Sequence, residues 1–118
     1  SSVGVLRASD ALEHLTNPVH TMNEAYRVLT HGGLFFIEVP STDGVGAFCD
    51  PTHVSFWNSR SFRYYTEAVM RKYLEPECNC RFQPIKIENI KKWDDIPYVR
   101  AHLLAVKDGP RFHGHLNI

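Results

Sequence analysis

Apolar and polar positions change rhythm repeatedly along this chain. Val3–Ala8 is a short apolar run broken by Gly4 and Arg7, and it predicts a strand buried between helical layers. Met22, Ala25, Tyr26 and Leu29 then recur at spacings of three and four, which draws one apolar stripe down a helix. Asn17 is the expected cap and Pro18 the first helical residue, because proline's missing N–H is no loss there. His31 and Gly32-Gly33 are expected to end that helix. Leu34, Phe35, Phe36, Ile37 and Val39 follow almost without interruption, with Glu38 as the break and Pro40 as the stop. Apolar residues at both parities predict a central strand covered on each side.

The remaining pattern is less regular. Residues 41–58 carry scattered aromatic and imidazole rings but no period, and loops of that length often cover a ligand. Within them Gly44-Val45-Gly46 reads as loop flexibility. Asn58 or Ser59 is the expected cap of a second helix, with Phe62, Tyr65, Thr66, Val69 and Tyr73 on one face and Pro76 at its end. Arg81–Lys91 and Tyr98–Lys107 both alternate as strands and are joined by residues 92–97, the signature of an antiparallel hairpin.

Composition narrows the function classes. The 118 residues balance 13 basic against 13 acidic side chains, as expected of one domain without a nucleic-acid-tracking face. Lys86, Lys91 and Lys92 cluster, but Glu88, Asp94 and Asp95 stand beside them. No apolar run is long enough to span a bilayer, and no export signal opens the chain, so a cytoplasmic setting without membrane attachment is expected. Three cysteines do not suit a disulfide framework and are expected as free thiols. Cys78-Asn79-Cys80 is too tightly spaced for a zinc knuckle. Asp10 with His14, or His113 with His115 in the tail, falls short of the three or four converging ligands of a stable site, so no metal is expected.

The chemistry-bearing residues gather at strand exits. Ser9, Asp10, Glu13 and His14 follow the first strand, where open α/β sheets place their ligands. His53 lies in the long loop, in the run Asp50-Pro51-Thr52-His53. His14 and His53 are the candidate proton acceptors, since imidazole titrates near neutrality. The competing readings are that His14 bonds a backbone carbonyl and that His53 with Trp57 pins the loop. Asp50 is positioned in sequence to orient His53, and Phe48, Phe56, Trp57 and Tyr65 to wall a substrate pocket with Glu38.

As a set, Asp10, Leu12-Glu13-His14-Leu15, Asn17-Pro18, Glu24, Arg27-Val28-Leu29, Gly32-Gly33 and a strand closing at Pro40 resemble the second half of a class I S-adenosylmethionine-dependent methyltransferase. The resemblance implies an α/β fold: a three-layer, partial Rossmann-like sheet of parallel strands with a C-terminal antiparallel hairpin. It implies the strand order first, second, fourth, third. Residues 1–107 would form the C-terminal half of the domain and 108–118 a flexible tail. It further implies methyl transfer to a small-molecule acceptor, with Ser9, Asp10 and Glu13 toward the S-adenosylmethionine. The family's Gly-rich first turn and ribose-binding acid are not found in these residues, so the chain alone is expected to be inactive. An exposed sheet edge or uncovered apolar face would then favour a homodimer or larger assembly. The competing reading is a non-catalytic α/β interaction module. A small reductase-like unit ranks last, because the phosphate-binding fingerprint is missing.

Overall fold

The computed structural model describes residues 2–112. They form a mixed α/β unit around one four-stranded sheet: β1 (Val3–Ser9), α1 (Pro18–Val28), β2 (Leu29–Pro40), α2 (Arg63–Thr66), α3 (Ala68–Arg71), β3 (Phe82–Lys92) and β4 (Ile96–Ala105). Short 3-10 turns at Leu12–His14, Val45–Ala47, Ser59–Phe62 and Lys72–Leu74 fill the connections. The strand order is β1-β2-β4-β3. β1 and β2 run parallel, with Ser9 opposite Glu38, and β4 runs antiparallel to both β2 and β3. This is the expected order.

Local chemistry sets the boundaries. The Asn17 side chain accepts the His20 amide at 3.0 Å, and Pro18 opens α1. The stripe buries Met22 and Ala25. Two expectations fail at its end and beyond. Leu29 is already extended (φ −75°, ψ 142°) and pairs with Val3, so strand pairing ends α1 before His31 and the two glycines. The second helix is broken rather than continuous. Glu67 is extended (φ −115°, ψ 128°), and the Thr66 carbonyl receives the Arg111 guanidinium. Phe62, Tyr65 and Thr66 therefore point inward, while Val69 and Tyr73 turn out to solvent, 70% and 76% exposed.

The core lies on one face of the sheet. Phe35, Ile37 and Val39 of β2 pack with Val99, Ala101, Leu103 and Ala105 of β4. Met22 and Ala25 of α1, Phe62, and Trp57 and Tyr65 cover them. The opposite face carries the alternate residues: Arg7, Ser9, Phe36, Glu38, Arg100 and His102 line an open groove of about 280 Å³ there. Cover on both faces of β2 was expected, but among the described residues the helices bury only one, giving two layers rather than three. Alternation is the physical reason: Phe36 and Glu38 of β2 are only partly buried, while their neighbours Phe35 and Ile37 are in the core. Glu38 is instead held by Lys92 at 2.9 Å and Arg100 at 2.8 Å, and Arg100 reaches Glu88 at 3.3 Å.

No described helix is long and apolar enough to cross a membrane. The cysteines are free thiols: Cys49 is exposed, and Cys78 and Cys80 are buried with their sulfurs 3.5 Å apart. The tail expected from residue 108 onward is described only to Phe112. There Phe112 stacks on His31, and Gln83 bonds its backbone at both N–H and C=O. His113 and His115 lie outside the described residues.

Candidate functional site

The chain leaves β1 through a left-handed residue. Asp10 has φ +53°, a conformation aspartate tolerates better than most side chains, and its amide bonds Glu38 O at 3.0 Å. The turn swings Leu12–His14 up at the carboxyl ends of β1 and β2. Leu12 enters the core, Glu13 is buried beside it, and His14 stays half-exposed.

The 41–58 connection folds back over this turn. Its ends are joined: Ser41 bridges Trp57, Thr42 N–H bonds Trp57 O at 2.8 Å, and Asn58 Nδ2 bonds Thr42 Oγ1 at 2.8 Å. That closed shape is a compact loop whose ends meet. Its far side clamps the 3-10 turn. Val54 and Ser55 N–H both donate to Glu13 O, at 2.8 and 3.2 Å, and Ser55 Oγ donates to Leu12 O at 2.7 Å. Trp57 Nε1 in turn donates to Ser55 Oγ at 2.9 Å. Gly44 and Gly46 do not serve flexibility. A Cβ on Gly44 would sit 2.7 Å from the Pro97 ring, and one on Gly46 would sit 2.7 Å from Ile96 Cγ2. The glycines let the loop close on β4.

These contacts bring His14 and His53 together edge to face, with ring centroids 5.0 Å apart. Each ring turns Nδ1 toward a main-chain carbonyl: His14 to Thr52 O at 3.2 Å, His53 to Ala47 O at 3.0 Å. A carbonyl can only accept, so each Nδ1 carries a proton, and in the neutral ring Nε2 is the atom with the lone pair. His14 Nε2 lies 3.8 Å from Glu13 Oε2, and His53 Nε2 lies 3.6 Å from Asp50 Oδ2. One donor atom from each of Glu13, His14 and His53 falls within 4.8 Å of the other two.

Glu13 is the unusual member. The residue is 2% exposed, and its Oε1 has no hydrogen-bond partner among the described residues. Burial lifts its carboxyl above the ordinary carboxylate range, and Asp10 adds to the lift; its own amide and the two imidazoles pull the other way without cancelling it.

Together these groups line a cleft of about 440 Å³ with Asp10, Asp50, Cys49, Trp93, Ile96 and Tyr98. Asp10, Glu13, His14 and His53 thus share one cleft, as expected, but Glu38, expected with them, does not line it. Other expected members lie elsewhere. Ser9 and Glu38 face the open groove on the bare face of the sheet. Trp57 and Tyr65 are core residues. With Phe56 they line a separate groove of about 240 Å³, and Phe48 stacks on Phe56 at the surface, both exposed. Asp50 was expected to orient His53 but stands beyond hydrogen-bond reach of it; the Ala47 carbonyl does that work. Asp50 instead accepts from Thr52 Oγ1 at 2.7 Å and Thr52 N–H at 2.8 Å, and those two bonds hold its carboxyl below the ordinary value.

Trp93 and Tyr98 were not anticipated. Tyr98 O–H donates to Asp10 Oδ1 at 2.6 Å; burial first, then that bond, keep the phenol protonated. Trp93, Asp94 and Asp95 all take positive φ in the β3–β4 turn, and Lys92 Nζ lies over both the Trp93 and Tyr98 rings. The sequence signal available for Tyr98 was its place at the start of a strand antiparallel to the one ending at Pro40. Compared with known proteins, the chain matches no protein-family model, no curated protein and no solved structure.

Proposed function

We propose that this chain carries the acceptor side of an S-adenosylmethionine-dependent methyl transfer to a small molecule, within a partial Rossmann-like methyltransferase sheet. The supporting observation is the cleft in which Asp10, Glu13, His14, Asp50 and His53 meet beyond the ends of a parallel strand pair. Ligands of open α/β sheets bind at such ends. In the reaction an acceptor oxygen or nitrogen attacks the methyl carbon of the sulfonium. The carbon–sulfur bond breaks, its electron pair stays on sulfur, and the acceptor's proton leaves to a base. His14 is suited to take that proton: its side chain is 41% exposed, and its Nε2 lone pair is kept available by the Nδ1 bond to Thr52 O. His53, nearly buried at its edge, positions it.

The 118 residues contain no Gly-rich strand–helix turn to hold the cofactor's carboxylate and ribose. Alignment of donor and acceptor is worth about 7–11 kcal/mol of barrier, so turnover by this chain alone is not expected. Weak cofactor contact is. Two-dimensional NMR of the chain titrated with S-adenosylhomocysteine should give millimolar-range shifts confined to residues 9–14 and 49–53. No shifts at that concentration, or shifts only elsewhere, would favour the second reading, a non-catalytic α/β interaction module. That reading draws on the bare sheet face and on Val5, 57% exposed on edge strand β1.

A further inference from the structure

We propose that Glu13, His14 and His53 form a binding site for a divalent first-row transition-metal ion, with zinc as the reference ion. The inference goes beyond the methyl-transfer reading and does not depend on it.

The donor set points to this class of ion. Two imidazoles and one carboxylate suit zinc and its first-row neighbours, whereas calcium and magnesium are held by oxygen ligands. Both rings are already arranged as metal-bound histidines are. Each donates Nδ1–H to a carbonyl, Thr52 O or Ala47 O, which fixes the tautomer and leaves Nε2 as the donor. Donor atoms bound to a tetrahedral ion at about 2.1 Å lie ~3.4 Å apart. The three groups here fall within 4.8 Å of one another, and one pair is already at 3.8 Å, so modest side-chain rotations close the site.

Glu13 supplies the independent argument. A carboxylate almost wholly buried, with one oxygen lacking any hydrogen bond among the described residues, is unfavourable unless a cation is nearby. Lys92, which lines up with Glu38 and Asp10, is committed outside the cluster. A dication between Glu13 and the two Nε2 atoms compensates the charge directly. The backbone around it is also set in advance, since the Val54, Ser55 and Leu12 bonds lock the Glu13 turn against the loop that carries His53. The cleft beside the three groups, lined also by Asp50 and Cys49, has room for a water or small ligand as a fourth donor. An ion there occupies the lone pairs that would otherwise accept a proton, so the two uses of the histidines exclude one another.

The test uses the full chain, stripped with a chelator and titrated with Co²⁺ for its visible absorption and with Zn²⁺ against a chromophoric competitor. One equivalent per chain is expected, with the absorption intensity of a four- or five-coordinate site and a raised melting temperature with zinc. Glu13→Gln and His53→Gln should each weaken binding by roughly tenfold or more. Glu13→Gln removes a buried charge at nearly constant shape, so it should fold, as far-UV circular dichroism will verify. A His113→Ala/His115→Ala variant should keep full affinity. Absence of stoichiometric binding, or binding unchanged in Glu13→Gln and His53→Gln but lost in the tail variant, would overturn the assignment. Unchanged cofactor shifts alongside lost metal binding would separate its failure from that of the methyl-transfer reading.

Discussion

Replacing Ser55 by alanine removes one oxygen that serves two buried partners. Ser55 Oγ donates to Leu12 O at 2.7 Å and accepts from Trp57 Nε1 at 2.9 Å. Leu12 and Trp57 are each 2% exposed, so water cannot replace the hydroxyl. A buried donor or acceptor left without a partner costs about 1–3 kcal/mol. Trp57 Nε1 is left without its partner, whereas Leu12 O keeps the Leu15 N–H at 3.1 Å, so the predicted loss is about 1–3 kcal/mol, a sizeable part of the ~5–15 kcal/mol typical of a domain. Urea unfolding followed by tryptophan fluorescence and by far-UV circular dichroism measures it. Val54→Ala is the control: Val54 is about half exposed, and its amide bond to Glu13 O survives the change, so about 0.5 kcal/mol or less is expected. A Ser55→Ala loss below ~1 kcal/mol would mean that the hydroxyl does not hold the Glu13 turn to the loop, and the account of how His14 meets His53 would fail with it.

Two further outcomes follow from the same geometry. Gly44→Ala should destabilise by about 1–3 kcal/mol, read from the urea midpoint, because the new Cβ meets a proline ring that cannot swing aside; a neutral effect would restore the view of this loop as loosely packed. The Glu38 carboxyl sits below its ordinary value of 4.5: burial pulls it up, but the hydrogen bonds from Lys92 and Arg100 outweigh that. A depressed folded value means the ion-pair stabilisation is complete above pH 4.5 and is lost as pH falls through the lower folded value. Wild type should therefore lose stability more steeply below that pH than Glu38→Gln, and parallel curves would refute the assignment.

Much of this fold was legible because its signals are local or alternate cleanly. The Asn17-Pro18 start, the Met22 and Ala25 stripe, and the β3–β4 hairpin each rest on a few neighbouring residues. The strand order came from the resemblance alone, since hydrophobic runs carry no information on which strands adjoin. The third layer, expected but not found among the described residues, shows the limit of a pattern reading. Phe35 and Phe36 look alike in sequence, yet only one faces the helices. In the site, Asp10, Glu13 and His14 were readable from their place after a strand. His53 was expected beside them because both loops leave the same end of the sheet; the contact that seats it, the Ser55 bond to Leu12 O across 43 positions, is one no spacing encodes. Trp57 and Tyr65 were misplaced for a simple reason: an aromatic suited to a pocket wall is equally suited to a core.

The position of β4 bears on how the chain acquires its structure during synthesis. The last of the described strands is also the one that joins the sheet together, since β2 and β3 both pair with it and not with each other. Until residues 96–105 leave the ribosome, β2 has a strand on its β1 side only, and Phe82 of β3 has no strand beside it. Local elements such as α1 can form early, but the core must wait for contacts of long sequence separation, which close slowly. The nascent chain thus carries the apolar Leu34–Val39 run with one strand edge open while residues 41–95 are made, and that interval is when a holding chaperone would meet it.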